Sequence, residues 1–138
     1  MRLAVIGCGA VIEQFYIPAF KKIKMKPVLF SDPIIEHARR FASKFKAKAV
    51  SNYYDSIDDF DAAIVAVPHH LHVKICCELL EEGKHVLVEK PLALNSNECQ
   101  KIINSAKLGK VKLSVGNFRR YKKNGIWLKG LLSSGDIG

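Results

Sequence analysis

The chain is short of cysteine, of acidic residues and of long apolar runs. Its four cysteines, Cys8, Cys76, Cys77 and Cys99, form no C-x-x-C pair. Adjacent Cys76 and Cys77 are poorly placed for a disulfide with each other, so reduced thiols are expected rather than a disulfide framework, a redox pair or a metal site. No apolar run approaches the roughly 18 residues of a membrane span, which excludes a transmembrane helix and a membrane partner. Arg2 is followed by ten apolar or glycine residues, as in a signal peptide. However, Glu13 closes that run and no small-x-small cleavage pattern follows, so a cytoplasmic protein is expected. Aspartate and glutamate number 13 against 22 lysines and arginines, a formal charge of +9. That excess points to anionic partners such as a phosphorylated cofactor or an acidic substrate. The lysines are scattered, and no helix-turn-helix, zinc-finger or RNP-like pattern accompanies them, so nucleic-acid binding is not expected. What remains is a chain of 138 residues, 49% apolar and 25% charged, long enough for one domain with its own core.

The organising stretch is Met1 to Tyr16. An apolar run, Leu3 to Ile6, meets Gly7-Cys8-Gly9-Ala10-Val11-Ile12 and then a helical pattern. A strand entering a glycine turn that opens a helix suits a pyrophosphate. Gly7 allows the tight turn, Gly9 lets the backbone approach the ligand, and free N–H groups at the helix start face the anion. The third small position of this fingerprint holds Ile12 instead. The helix over about 10–24 has apolar positions at Val11, Phe15, Ala19, Phe20 and Ile23, and Pro18 predicts a kink near Tyr16-Ile17.

Pro27 to Phe30 reads as a second buried strand ending at Ser31-Asp32. An acidic side chain here can accept hydrogen bonds from the adenosine ribose hydroxyls and would repel a 2′-phosphate, favouring NAD over NADP. A helix cap before Pro33 is the other reading of Asp32, and nearby Arg39 and Arg40 keep NADP open. A helix over 34–45 follows, with Ile35, Ala38, Phe41, Ala42 and Phe45 on one face. Then come a short strand at 47–50, a polar loop with one helical turn over 51–61, and the apolar strand Ala62 to Val67. This strand–helix alternation predicts an α/β fold with a mostly parallel sheet of about six strands and helices on both faces.

Val67-Pro68-His69-His70-Leu71-His72 forms the next turn. Its three histidines within four residues have no ligand spacing for zinc, and no metal is expected. A turn after a strand's carboxyl end lies over the ligand crevice, which places His69 and His70 near a nicotinamide, with His72 ordering the helix over 71–82. His85 to Val88 is the fifth strand and delivers Glu89-Lys90-Pro91 to the same edge. Lys90 is the candidate catalytic residue, a cation able to polarise a substrate oxygen or move a proton, although an isolated E-K-P is also an ordinary surface turn. Asn95 caps a helix to about Lys107. Val111 to Val115 is the sixth strand, Gly116-Asn117-Phe118-Arg119-Arg120-Tyr121 follows it, and Ile126 to Leu132 is helical.

In this order and spacing, GCGAVIEQFYIPAF, Asp32, AVPHHLH, HVLVEKPLAL and VGNFRRY resemble the amino-terminal half of the glucose-fructose oxidoreductase/inositol dehydrogenase (Gfo/Idh/MocA) family. The resemblance spans essentially the whole chain. It implies a Rossmann-type, doubly wound domain over 1–118 that binds NAD or NADP, with hydride transfer to or from a sugar, polyol or related carbonyl substrate. By the same resemblance Gly7, Gly9, Ala10 and Val11 line the pyrophosphate and Asp32 takes the ribose. Val67, Pro68 and His72 form the nicotinamide-side turn, while Glu89, Lys90 and Pro91 match the E-K-P motif, whose lysine contacts substrate or nicotinamide. Arg119 lies toward the substrate. Family members are more than twice as long, and their second domain supplies substrate contacts and an aspartate–histidine pair. Residues 119–138 then read as a crossover toward such a domain, their closing G-D-I-G at its boundary. Little turnover is expected from these residues alone. A non-catalytic NAD(P)-binding sensor, or a subunit completed by a partner chain or by self-association, is the alternative. Its sign would be an exposed apolar patch around Phe118, Trp127 and Leu131.

Overall fold

The computed structural model describes residues 1–135, so Asp136-Ile137-Gly138 of the expected boundary motif lie outside the described residues. Six parallel strands form one sheet: β1 (Leu3–Ile6), β2 (Leu29–Ser31), β3 (Lys48–Val50), β4 (Ala62–Val65), β5 (His85–Val88) and β6 (Leu113–Val115). Their spatial order is β3-β2-β1-β4-β5-β6. The chain therefore winds outward from β1 in one direction, then returns to start again at β4. The resulting switch point between β1 and β4 is where an open α/β sheet forms its ligand crevice. Ile6 pairs with Ser31 on one side and Val65 on the other, which brings the strand ends bearing Gly7, Asp32 and Ala66 to one edge.

Helices cover both faces. Leu3, Val5, Phe30 and Ile64 pack against α1 (Ile17–Lys22) and α2 (Ile35–Phe45). Ala4, Ile6, Val65 and Val88 pack against α3 (His72–Glu81) and α4 (Ser96–Leu108). The α2 face follows its expected pattern, with Ala38, Phe41 and Ala42 buried. Asn95 caps α4 as its sequence suggests, its side chain accepting from Glu98 N–H at 3.0 Å.

The first helix departs from expectation. Residues 12–16 form a wide π-type turn, with the Ile17 N–H donating to the Ile12 carbonyl, before α1 begins with Pro18 in its first turn. A proline ring clashes with the carbonyl four residues back in a regular helix, and the wider turn relieves that clash. The turn also shifts the helix phase. Ile12, Ile17 and Phe20 are the buried residues, whereas Val11, Phe15 and Ile23 are exposed. Of the five apolar positions read at helical spacing, only Phe20 is buried, while Val11, Phe15 and Ala19 line an open cleft.

Last comes α5 (Lys123–Ser134), longer than its expected 126–132 and without one buried residue. Ile126, Trp127, Leu128 and Leu132 are exposed, while Leu131 of the anticipated patch is only half-exposed. Among the described residues, no helix is long and apolar enough to cross a membrane.

Candidate functional site

The carboxyl edge of the sheet collects the turns that follow β1, β2, β4, β5 and β6. Gly7 has φ +86°, and a Cβ there would lie 2.4 Å from the Ala66 carbonyl oxygen, so no other residue fits this turn against β4 without displacement. Gly9 is different: a Cβ on it would meet nothing within 4 Å. The space above it is open to a ligand. The N–H groups of Gly9, Ala10 and Val11 find no protein acceptor among the described residues. Three unpaired donors beside an open glycine are what a pyrophosphate requires. Ile12, in the third small position, is fully buried beneath them.

Asp32 holds this turn in place. Its Oδ2 accepts from Cys8 N–H and its Oδ1 from Ile34 N–H, both at 2.9 Å. The same carboxylate thus joins the glycine turn to the start of α2, and His37 Nδ1 lies 3.4 Å from Oδ1. Cys8 is buried, and that burial, reinforced by nearby Asp32, pushes its thiol up to about 12. It is an inert packing group here.

On the far side of the switch point, Val67 is partly buried while Pro68, His69 and His70 are exposed over the edge. His72 is not. Its ring is fully buried, with Nε2 3.1 Å from the Val67 carbonyl oxygen and Nδ1 2.9 Å from that of Pro91. It clamps the turn after β4 to the turn after β5. Among the described residues, no cluster of three or more His, Cys, Asp or Glu side chains could hold a metal ion.

Glu89, at the end of β5, accepts a 2.7 Å hydrogen bond from Tyr16 O–H and also accepts from Lys90 N–H. Burial, then this bond, raises the Tyr16 phenol above its ordinary range. Gly116 makes room for the carboxylate, since a Cβ there would sit 2.9 Å from Glu89 Oε1. Beside this group opens a cleft of about 520 Å³ lined by Val11, Phe15, Glu89, Lys90, Phe118 and Arg119. Phe15 and Phe118, both in its lining, stack on each other with ring centres 5.4 Å apart. Lys90 and Arg119 are exposed and have no ion pair among the described residues. A second hollow, of about 650 Å³, adjoins this cleft, sharing Tyr16, Ala19, Leu87 and Ser114 with it and extending to Met1, Leu3 and Ala62.

The structure thus brings Gly7, Gly9, Ala10, Val11 and Asp32 to one side of the crevice. Glu89, Lys90, Pro91 and Arg119 come to the other, and Val67 to His69 lie between them. Tyr16 and Gly116 were not foreseen, because their partner Glu89 lies far away in sequence: 73 positions separate it from Tyr16.

Comparison with known proteins agrees with this geometry. Residues 1–117 match the Gfo/Idh/MocA oxidoreductase family, described as having an NAD-binding Rossmann fold. The inositol 2-dehydrogenase of Salmonella typhimurium is 35% identical over 67% of this chain and 29% of its own length. That of Rhodococcus erythropolis is 32% identical over 100% of this chain and 41% of its own. A 3-ketoreductase from Actinomadura kijaniata, solved with NADP and TDP-benzene, superposes with a TM-score of 0.90 at 26% identity, over 100% of this chain and 43% of its own. The chain spans 29% to 43% of the length of these relatives. It belongs to the Gfo/Idh/MocA family of oxidoreductases and carries that family's NAD-binding Rossmann fold.

Proposed function

We propose that residues 1–118 bind NAD, with NADP the weaker alternative, as the cofactor half of an oxidoreductase acting on a sugar, polyol or related carbonyl compound. The observation that carries this reading is the pairing at the switch point: a glycine turn with three unpaired N–H donors, backed by Asp32. Gly7 shapes the turn, Gly9, Ala10 and Val11 receive the pyrophosphate, and Asp32 exchanges its Ile34 or Cys8 hydrogen bond for the ribose hydroxyls. Val67, Pro68 and His69 border the nicotinamide, which when bound supplies or accepts the hydride. Glu89 and Pro91 hold the turn that carries Lys90. In the reducing direction Lys90 polarises the carbonyl and gives a proton to its oxygen as the hydride reaches carbon; in oxidation both steps reverse. Arg119 faces the substrate side of the same cleft.

One wall of a crevice does not exclude water or position a substrate, so turnover is proposed to need a second domain reached through residues 119–138. The exposed apolar side chains of α5 favour a second reading alongside it, a subunit completed by a partner chain or another copy. Four free cysteines agree with a cytoplasmic setting. The test is a fluorescence titration of the 138-residue chain with NADH and NADPH. Saturable binding, tighter for NADH and weakened in Asp32→Ala, is expected; no binding of either dinucleotide refutes the proposal. Clear turnover of a sugar and polyol panel by this chain refutes the need for a second domain.

A further inference from the structure

A dinucleotide with a 2′-phosphate brings additional negative charge to the end of β2, where Asp32 already stands. Tolerating it requires a nearby cation, preferably a guanidinium that can grip phosphate in a fork. α2 carries three candidates, His37, Arg39 and Arg40. Each already faces a carboxylate. His37 lies 3.4 Å from Asp32, Arg39 lies 3.4 Å from Glu36, and Arg40 is in contact with Glu13.

These pairs differ in kind. Arg39 and Glu36 sit one helical turn apart on the outer side of α2, with side chains 67% and 69% exposed. Such a pair holds little and points to solvent. The Arg40–Glu13 pair instead joins two elements. Glu13 belongs to the helical run after the glycine turn, where its N–H donates to the Gly9 carbonyl at 3.3 Å. Arg40 also lies over the Phe41 ring, 4.7 Å from its centre, which limits where its guanidinium can swing. The contact thus joins the helical run that follows the glycine turn to α2, the helix that follows Asp32.

We propose that Glu13 selects the coenzyme: by pairing with Arg40 it holds that cation away from a 2′-phosphate, reinforcing Asp32 in favouring NAD over NADP. This rests on the dinucleotide reading above. Asp32 discriminates through the ribose hydroxyls, whereas Glu13 acts by occupying the cation that could compensate a phosphate. The two contributions are separable.

The experiment titrates NADH and NADPH into the full chain and into Glu13→Gln, Glu13→Gln/Arg40→Ala and Glu36→Gln. Glu13 and Arg40 are each 51% exposed, so the substitutions leave the core untouched. Release of one exposed ion pair corresponds to about a fivefold gain in NADPH affinity for Glu13→Gln, with NADH unchanged within about twofold. That gain is expected to vanish in the double variant, to shrink at high salt, and to be absent in Glu36→Gln. An unchanged NADPH-to-NADH ratio in Glu13→Gln, with NADH still bound, overturns the inference alone. Persistence of the gain without Arg40 also overturns it, by assigning the effect to the Glu13 charge. Failure of the unsubstituted chain to bind NADH overturns the parent reading instead.

Discussion

Gly7 and Gly9 are two residues apart in one turn, yet an added methyl group should act on different properties at each. At Gly7 the backbone has φ +86°, and the new Cβ would sit 2.4 Å from the Ala66 oxygen and 2.7 Å from its carbonyl carbon. The left-handed conformation alone costs an alanine about 1 kcal/mol. The overlap is with main chain, so β1 and β4 must separate where Ala66 N–H bonds the Ile6 carbonyl at 2.8 Å. A backbone shift of this kind brings the total for Gly7→Ala to about 3 kcal/mol. At roughly 3 °C of Tm per kcal/mol for a domain this size, the expected loss is about 10 °C. Gly9→Ala meets no atom within 4 Å, so its Tm should stay within about 2 °C of the parent. Its methyl group instead fills the approach to the three unpaired N–H donors, and NADH affinity should fall at least about tenfold. Thermal denaturation followed by circular dichroism, with NADH titration of each folded variant, measures both quantities. A Gly7→Ala protein as stable as the parent, or a Gly9→Ala protein binding NADH normally, would refute the division of labour.

Other substitutions probe the same framework. His72→Ala removes a buried ring that links the Val67 and Pro91 carbonyls, and should lower stability by about 3 kcal/mol in urea denaturation. Asp61 is held down to about 2 by its hydrogen bonds from Arg2. Because its folded pKa lies below the ordinary value of about 3.9, the stabilisation is present above pH of about 4 and is lost as pH falls toward 2. Asp61→Asn should therefore flatten the acid side of the stability profile in that window. Burial pushes Cys8 and Cys76 up to about 12, so a thiol reagent at neutral to mildly alkaline pH should label the partly exposed Cys77 and Cys99 first and the other two only on unfolding.

Much of the fold was legible because apolar runs and turn residues are local signals. β1 and β5 have the limits that their sequences suggest, and the Asn95 cap is where expected. β4 is shorter than its apolar run, since Ala66 and Val67 already belong to the turn over the crevice. Strand order was accessible only as part of a family resemblance, because pairing of β1 with β4 joins segments about sixty residues apart. At the site, neither reading of Asp32 included its bond with Cys8. The local bond with Ile34 N–H is within reach of sequence reasoning, whereas the bond with Cys8 N–H joins positions 24 apart.

The first helix shows most clearly why local pattern fails where it does. A helical count assumes 3.6 residues per turn throughout, and with that assumption Val11, Phe15, Ala19, Phe20 and Ile23 follow one helical spacing. Pro18 removes one N–H donor and pushes against the preceding turn, which widens until Ile17 bonds Ile12. Ile12 and Ile17, five residues apart, then stack on the core side. The same rotation turns Val11 and Phe15 toward the cleft that holds Lys90, and Tyr16 toward Glu89. The bulky residue at the third fingerprint position is thus tied to the proline six residues later. Ile12 is accommodated because it starts the widened turn, and the apolar side chains displaced by that turn become part of the wall of the candidate site.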